Sequence, residues 1–262
     1  MNTLKLVNLT VSVEGKTILN NFNLEIKSGE IHVIMGPNGV GKSTLTKVII
    51  GDPNYKIESG SIYYNNVLLN DIPVDERSRM GIFLGMQLPP EIEGVTNADF
   101  LRTAVSTKEK EKFKLMEFIN NIDTTVSKLE MNSDMIHRDV NKGFSGGERK
   151  KNEILQMYIL KPSMVMLDEI DSGLDVDSLR IVGNSVMDYF KESNCGILLI
   201  THYDRLLDYI IPTHVHIIKN GTIVKSGDYD LVKEIEKYGF AESNNKFNST
   251  GICAIRKNIN NE

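Results

Sequence analysis

Residues 31–44 read IHVIMGPNGVGKST, an apolar run that leads directly into a glycine-rich segment. The run from Ile31 to Met35 predicts a short buried strand, and the apolar spacing that follows predicts a helix that stops at Gly51. Between the two, residues 36–43 fit the pattern G-x-x-x-x-G-K-[ST] without a mismatch. A strand, a glycine-rich loop and a helix in this order favour an α/β fold with the loop at the carboxyl end of a strand.

The glycine-rich loop is predicted to bind the phosphates of a nucleotide. Its backbone N–H groups can point inward at phosphate oxygens, and the following helix adds the positive end of its dipole. Lys42 is expected to reach the β- and γ-phosphates, and the Ser43 hydroxyl is expected to coordinate Mg²⁺. An ordinary glycine-rich turn would leave this Lys-Ser pair at the helix start without a purpose. The predicted nucleotide-binding residues of the loop are Gly36, Pro37, Asn38, Gly39, Val40, Gly41, Lys42, Ser43 and Thr44.

Two carboxylates, Asp168 and Glu169, follow a second apolar run at Val165 to Leu167. Because a parallel sheet presents its ligands at the carboxyl ends of its strands, both side chains are expected beside the glycine-rich loop. Asp168 would hold Mg²⁺ directly or through water, and Glu169 would polarise the water that attacks the γ-phosphate. Acidic residues at a strand end can also simply begin a polar loop, but the phosphate loop favours the metal site.

The segment FSGGE at residues 144–148 has two compatible interpretations. Ser145 and Glu148 form S-x-x-E, a capping box that starts a helix. The box does not explain Gly146 and Gly147, because each glycine in a helical turn costs about 1 kcal/mol. Bare N–H groups and a hydroxyl at a helix start predict a second anion site. If that site lies far from Lys42 in the same chain, it can only serve a nucleotide held by another chain.

Two further polar residues follow apolar runs that read as strands. His202 comes after the run at residues 197–200, and Gln87 comes after the run at residues 82–86. His202 could sense the γ-phosphate, and Gln87 could add a neutral oxygen ligand to the metal. Taken alone, each is equally compatible with an ordinary polar residue at a strand end.

The composition excludes several classes of protein. The chain has 262 residues, with 40% hydrophobic and 25% charged residues, which is typical of a globular protein and not of a disordered one. Thirty basic and 35 acidic residues give a net charge of −5, which disfavours nucleic acid as a partner. The sequence shows no signal-peptide pattern and no apolar run long enough for membrane insertion. Two cysteines, Cys195 and Cys253, form no disulfide framework, so we expect a cytoplasmic setting.

The order of the predicted elements gives the fold class. Strands and helices alternate around a mostly parallel sheet core, with an antiparallel β part at the N-terminus and a helical subdomain in the middle. Asn220-Gly221 between two apolar runs predicts a hairpin near the end. The predicted divisions are residues 1–86 and 161–242 for the two parts of the core, 87–160 for the helical subdomain and 243–262 for a polar tail.

Taken together, these motifs define a family resemblance. They are the phosphate loop (36–44), Gln87, residues 144–148, Asp168-Glu169, the segment SGLD at 172–175 and His202. Their order resembles that of an ABC-type ATPase nucleotide-binding domain from about residue 3 to about residue 240. The resemblance implies a Mg²⁺-dependent ATP hydrolase, with ATP and Mg²⁺ as cofactors and a transient ATP-dependent homodimer.

The resemblance also assigns roles to the candidate residues. Val13 stands where an aromatic residue commonly stacks on the base, and it would offer a weaker apolar contact. The implied catalytic residues are Lys42, Glu169 and His202, the implied metal ligands are Ser43, Gln87 and Asp168, and the implied nucleotide contacts beyond the loop are Val13, Gln87, Ser145, Gly146, Gly147 and Asp175.

Within that superfamily the chain is similar to the SufC family, the ATPases of the Suf iron–sulfur cluster assembly system. In that family the ATPase binds a scaffold pair, SufB and SufD, so the resemblance implies scaffold proteins of this type as partners. We expect the scaffold to dock on the helical subdomain through residues 86–95, which Pro89-Pro90 stiffens. The similar stretches are residues 87–95, 143–148 with 152–157, 171–175, 201–203 with 207–210, and 223–228.

Two other functions remain open at this stage. The chain could be the ATP-binding subunit of a membrane ABC transporter, since the work would again be done on a separate partner. An ATPase that acts on DNA or ribosomes is disfavoured by the acidic balance. Cys253, in the polar tail, is interpreted as incidental and not as a cluster ligand.

Overall fold

A computed structural model describes residues 1–109, 113–201 and 204–242. The largest sheet formed by these residues has six strands. From one edge to the other they are β12 (Thr222–Gly227), β11 (His214–Lys219), β3 (Ile31–Met35), β10 (Gly196–Ile200), β9 (Met164–Asp168) and β6 (Ile82–Gly85).

This sheet is parallel from β11 to β6, and only the edge strand β12 runs the other way. The predicted hairpin joins β11 to β12, and both Asn220 (φ 51°) and Gly221 (φ 72°) adopt the positive φ that such a turn needs. Ile34 of β3 pairs with Ile200 of β10, which pairs with Asp168 of β9. The carboxyl ends of these three strands therefore lie side by side, and the glycine-rich loop begins at the carboxyl end of β3.

A second sheet covers one side of the first. Its antiparallel strands, in the described part of the chain, are β2 (Lys16–Lys27), β1 (Thr3–Val13), β4 (Lys56–Tyr64) and β5 (Val67–Leu68). Helix α1 (Lys42–Ile50) lies between the sheets, since Leu45 and Ile49 share one buried cluster with Leu6 and Leu198. The predicted antiparallel N-terminal part and the mostly parallel core are both confirmed.

Residues 87–160 form the helices that the sequence predicts, together with a small strand pair that it does not. The helices are α3 (Asn97–Glu109), α4 (Leu115–Lys128), α5 (Gly146–Leu160) and a 3₁₀ helix at Ser133–His137, and the paired strands are β7 (Ile92–Thr96) and β8 (Asp139–Val140). Two-residue strands such as β8 are too short to leave a periodic signal in a sequence.

The remaining helices cover the other side of the core sheet or join strands at its edges. Leu155 of α5 shares a buried cluster with Val182 of the next long helix and Leu167 of β9, so the middle segment is continuous with the core. None of the described helices is long and apolar enough to cross a membrane. The predicted tail 243–262, with Cys253, lies outside the described residues. The remaining helices are α2 (Val74–Arg79), α6 (Val176–Ser193), α7 (Asp204–Leu207) and α8 (Asp230–Glu242), the last interrupted at Gly239.

A buried arginine in α2 donates hydrogen bonds to carbonyl groups at the end of α1. Arg77 is 2% exposed, and burial lowers the pKa of its guanidinium, which Asp71 opposes by its charge. The guanidinium is a donor to backbone carbonyl groups at the end of α1 and in the loop before α2. The acceptors are Val48, Ile49, Leu69, Asn70 and Ile72, at distances from 2.6 to 3.3 Å.

We expect Arg77→Met to lower the free energy of unfolding by about 3 kcal/mol or more, since each buried carbonyl left without a donor costs about 1–3 kcal/mol. Arg79→Met is the matched control, because Arg79 is exposed and bonds only Asp75 among the contacts that the structure describes. It should change stability by about 0.5 kcal/mol or less. Urea unfolding measures both, and equal stabilities of the two variants would contradict this role of Arg77.

Candidate functional site

The glycine-rich loop leaves β3 and enters α1 through two glycines that no other residue can replace without a clash. Gly36 adopts φ 159°, and a Cβ there would lie 2.5 Å from the carbonyl oxygen of Ile218. Gly41 caps α1 at φ 103°, and a Cβ there would lie 2.9 Å from Leu19. Strand β11 of the large sheet and strand β2 of the second sheet thus approach the two ends of the loop so closely that both positions favour glycine.

Lys42 places a positive charge at the centre of this loop. Its side chain is 5% exposed, and Nζ donates to the carbonyl oxygens of Gly36 and Pro37, each at 2.8 Å. Burial lowers the pKa of Lys42, and the carboxylates of Glu169 and Asp168 oppose that shift. The loop therefore holds an ammonium group where phosphate oxygens would collect.

Asp168 connects β9 to α1. Its Oδ1 accepts a hydrogen bond from Ser43 Oγ at 3.1 Å, and its Oδ2 accepts one from Thr46 Oγ1 at 3.3 Å. Burial raises the pKa of Asp168, an effect that the Ser43 hydrogen bond opposes and the nearby Glu169 carboxylate reinforces. Sequence reasoning missed Thr46, although its position one helical turn after Ser43 was a usable signal.

These oxygens fit Mg²⁺ by their chemistry. Mg²⁺ prefers hard oxygen ligands and is usually held by one or two protein groups together with phosphate and water. The Ser43 hydroxyl and the Asp168 carboxylate lie within hydrogen-bond distance of each other beside the phosphate loop. They are the predicted metal ligands that the structure brings together.

Glu169 follows Asp168 with a left-handed backbone, φ 48°, which is uncommon for a residue other than glycine. Its N–H donates to the carbonyl oxygen of Ile200 at 2.9 Å, and this bond holds the turn in place. Gln87 Nε2 donates to the Glu169 carboxylate. Gln87 is thus seen beside the predicted general base, and its role as a metal ligand stays a prediction.

Helix α5 holds the backbone on either side of Gln87. Glu153 Oε2 accepts from the N–H of Met86 at 2.9 Å, and Lys150 Nζ donates to the carbonyl oxygens of Met86 at 3.0 Å and Gln87 at 2.6 Å. Burial raises the pKa of Glu153 to about 7 and lowers the pKa of Lys150. Sequence reasoning missed both residues, because a charged residue on a helix reads as solvent-exposed until its packing is known.

A cleft of about 650 Å³ contains most of these groups. Its described lining includes Ile18 and Tyr55 but not Val13, which pairs with Lys16 at the end of β1. The base contact expected at Val13 therefore stays a prediction, and Ile18 and Tyr55 are apolar or aromatic groups that sequence reasoning missed. His202 lies outside the described residues. The described lining is Ile18, Asn38, Gly39, Gly41, Lys42, Ser43, Thr44, Tyr55, Gln87, Glu169 and Ser172.

Ser145 begins α5 with the capping box that the sequence predicts. Its side chain accepts from the N–H of Glu148, and the Glu148 carboxylate accepts from the N–H of Ser145 at 2.7 Å. Asp175 is the N-cap of α6, where it accepts from the N–H of Ser178 at 2.7 Å, and this bond lowers the pKa of Asp175. Both caps are structural features in their own right.

The paired glycines after Ser145 have no packing role in the chain. A Cβ at Gly146 would lie 3.9 Å from its nearest neighbour, and one at Gly147 would lie 3.6 Å away, both ordinary contacts. The two glycines line a separate pocket of about 320 Å³ together with Ser145, Lys151 and Asp175. This pocket shares no described lining residue with the cleft around Lys42.

The chain belongs to the ABC transporter family of ATP-binding proteins, because the family model described as ABC transporter matches residues 19–172. It is 48% identical over 241 residues to vegetative protein 296 of Bacillus subtilis (strain 168), covering 91% of this chain and 92% of that protein. It is 50% identical over 241 residues to a probable ATP-dependent transporter of Synechocystis, covering 90% of this chain and 94% of that protein.

Solved structures give the same fold. The dimeric post-hydrolysis state of the ATP-binding cassette MJ0796, bound to ADP and Pi, matches with a TM-score of 0.74 at 22% identity and covers 86% of this chain and 98% of that chain. The protein is thus an ABC-type ATPase with the cassette fold, as its motifs predict. The cleft around Lys42 is its candidate ATP site.

We expect Glu169→Gln to retain ATP binding and to lose turnover by a factor of about 10² or more, since the amide cannot take the proton of the attacking water. The measurement is steady-state phosphate release, with nucleotide affinity followed by a fluorescent ATP analogue. Hydrolysis at the wild-type rate would show that Glu169 is not the general base.

Lys42→Ala should instead reduce nucleotide affinity itself, because the change removes the buried ammonium that is predicted to contact the β- and γ-phosphates. The same fluorescence titration measures it, with Lys47→Ala on α1 as the matched control. Equal affinities of the two variants would exclude a phosphate contact by Lys42.

Proposed function

We propose that this ATPase hydrolyses ATP to change the conformation of an iron–sulfur cluster assembly scaffold of the SufB/SufD type. The choice of partner is supported by the similar stretches described under Sequence analysis. The idea that a partner protein controls hydrolysis rests on the position of Leu88. This side chain is 85% exposed and directly follows Gln87, whose amide contacts Glu169. A partner that touches Leu88 would therefore contact the neighbour of Gln87, whose amide contacts the proposed general base Glu169.

In the proposed reaction, the loop N–H groups and Lys42 bind the β- and γ-phosphates of ATP. Ser43 and Asp168, with Gln87, would hold Mg²⁺, which neutralises charge on the phosphate oxygens. Glu169 would orient the attacking water in line with the γ-phosphate and accept its proton. His202 keeps its proposed role as the residue that senses the γ-phosphate.

We further propose that two chains close head to tail around two ATP molecules. The Ser145 hydroxyl and the backbone N–H groups of Gly146 and Gly147 would be the donors, in a pocket that shares no described lining residue with the cleft of the same chain. Each chain would then complete the phosphate site of the other, with Asp175 near the contact. The MJ0796 cassette is described as a dimer with ADP and Pi bound, which agrees with such an arrangement.

The α5 contacts offer a route between the two nucleotides. α5 begins at Ser145 and, one to two turns later, Lys150 and Glu153 hold the backbone at Met86 and Gln87. Binding of the partner's γ-phosphate at the helix start would thereby bear on the position of Gln87 and on its contact with Glu169. ADP has no γ-phosphate, so it cannot make this contact with the second chain. It would therefore not shift the equilibrium from monomer to dimer.

The alternative function is that of the ATP-binding subunit of a membrane ABC transporter. It is favoured by the names of relatives such as the probable ABC transporter ATP-binding proteins of Streptococcus pyogenes, 48% identical over 243 residues. Affinity purification of the full chain from its own cells separates the two. Recovery of scaffold proteins without detergent supports the first function, and detergent-dependent recovery with an integral subunit supports the second.

We expect Glu169→Gln with Mg-ATP to sediment as a dimer, and with Mg-ADP as a monomer, in analytical ultracentrifugation. Ser145→Arg in the Glu169→Gln background should block the dimer while ATP still binds, because the new side chain fills the second phosphate site only. Ser127→Arg, on an exposed position of α4, is the matched control and should leave the dimer intact. A Glu169→Gln protein that stays monomeric at high concentration with ATP and scaffold would refute the two-site arrangement.

Contacts within the chain show which side chains of the proposed docking segment 86–95 are already paired. Glu91 forms an ion pair with Arg149, and Glu93 lies 3.2 Å from Lys142, so both acids already have partners within the chain. Leu88 is the large hydrophobic side chain of this segment that is exposed, at 85%.

We expect Leu88→Asp to weaken binding to a SufB/SufD-type scaffold by about tenfold or more, since it places a charge at a predicted apolar contact. Val67→Asp, 45% exposed on the edge strand β5, is the matched control and should bind normally. Isothermal titration calorimetry measures both affinities. Unchanged affinity for Leu88→Asp would remove this segment from the partner surface.

A further inference from the structure

Three of the five histidines of the chain gather at the amino end of β3, away from the phosphate loop at its other end. His214 of β11 lies directly opposite His32 of β3, and His216 follows two residues later on the same face. The ring centroids of His32 and His214 are 4.3 Å apart, and those of His32 and His216 are 5.1 Å apart. Neither the ATP site nor the proposed partner surface uses any of them.

A carboxylate completes the cluster. Glu30 Oε2 lies 3.1 Å from His32 Nε2. One nitrogen of His32, one nitrogen of His214 and one carboxylate oxygen of Glu30 all lie within 4.8 Å of one another. Zinc-type ions bind imidazole nitrogen and carboxylate oxygen at about 2.0–2.2 Å, so these three donors can surround one ion once the His214 ring turns toward it.

A hydrogen-bonded relay behind His32 can orient it as a ligand. His32 Nδ1 lies 3.0 Å from His216 Nε2, and His216 Nδ1 lies 2.7 Å from Ser226 Oγ. If His32 Nδ1 carries the proton, it donates to His216, His216 donates to Ser226, and the Nε2 lone pair of His32 faces Glu30. If Nε2 carries the proton, the relay runs in reverse, because the serine hydroxyl can donate or accept.

This relay matches the surroundings of known metal ligands. A ligating histidine almost always donates its second ring N–H to a protein group, which fixes its tautomer and orientation. In this chain the change between the two directions moves protons along the relay and leaves their number unchanged. Burial also lowers the pKa of His32 to about 4, so its imidazole is neutral, as a ligand must be.

We propose that Glu30, His32 and His214 bind one divalent transition-metal ion of the zinc type, with water in the remaining position. Two nitrogens and one oxygen suit Zn²⁺, Co²⁺ or Fe²⁺ and not Mg²⁺, which prefers oxygen ligands alone. His214 must turn out of its stack on His32, because a metal lies in the plane of each ligating ring. His214 is exposed at the start of β11, so its ring has room to turn. Water can then replace Thr213 as its hydrogen-bond partner.

Titration of the full chain with Co²⁺ tests this, with nucleotide absent and Mg²⁺ in excess to exclude binding at Asp168. We expect one saturable visible absorption band per chain, which Zn²⁺ removes by competition. His214→Asn and Glu30→Gln should each weaken the binding by about tenfold or more. His137→Asn, at an exposed histidine of the 3₁₀ helix, is the matched control and should bind as the wild type does.

A second readout guards against a folding defect in the variants. Zn²⁺ should raise the midpoint of thermal unfolding of the wild type and of His137→Asn, and should raise it clearly less in His214→Asn and Glu30→Gln at the same Zn²⁺ concentration. Absence of a saturable band in the wild type overturns the proposal, as does equal binding by all four proteins, which would place the ion at another site such as a cysteine thiol.

Discussion

Asp168 accepts hydrogen bonds from Ser43 and Thr46, and this contact joins the end of β9 to the start of α1. The two elements come from distant parts of the chain, and the parallel order of β3, β10 and β9 brings their ends to one edge of the sheet. The glycine-rich loop, the carboxylate Glu169 and the amide of Gln87 all take their positions from this edge. Without it, the loop and Ser43 would lie apart from Asp168 and Glu169, the residues predicted as second metal ligand and general base.

Helix α5 connects the pocket at Ser145 with the backbone at Met86 and Gln87. Its first turn carries the paired glycines, which line the pocket at Ser145. Its second turn carries Lys150 and Glu153, which hold the segment before Leu88. Because each of these charged groups is buried and paired with backbone groups, a displacement of α5 would disturb those bonds or move Gln87 with it. The helix therefore connects the pocket at Ser145 to Gln87 and, through its contact, to Glu169, the proposed general base.

The histidine cluster lies on the same strand as the phosphate loop but at the opposite end. A bound ion would join β3 to β11 through His32 and His214, at the start of the strand whose far end positions Gly36. The cluster depends on the register of these two strands, since a shift by one residue would turn His214 to the other face of the sheet.

Much of this protein could be predicted from local sequence. The strand, loop and helix at residues 31–50, the capping box at Ser145 and the turn at Asn220-Gly221 depend on residues that are neighbours in the chain. Their signals therefore survive without knowledge of the fold. The roles of Lys42, Ser43 and Asp168 followed from the motifs, and the structure brings these three residues together.

Other features depended on which distant segments meet. The contact of Gln87 with Glu169, the backbone bonds of Lys150 and Glu153, and the five carbonyl acceptors of Arg77 join residues far apart in the chain. The sequence does not indicate which charged residues on a helix will be buried, so these contacts could not be predicted before the packing was known. The sequence by itself determined the local elements and the chemistry of the phosphate loop. The tertiary structure decided which charges are buried and which histidines meet, because burial and strand register are properties of contacts between distant residues.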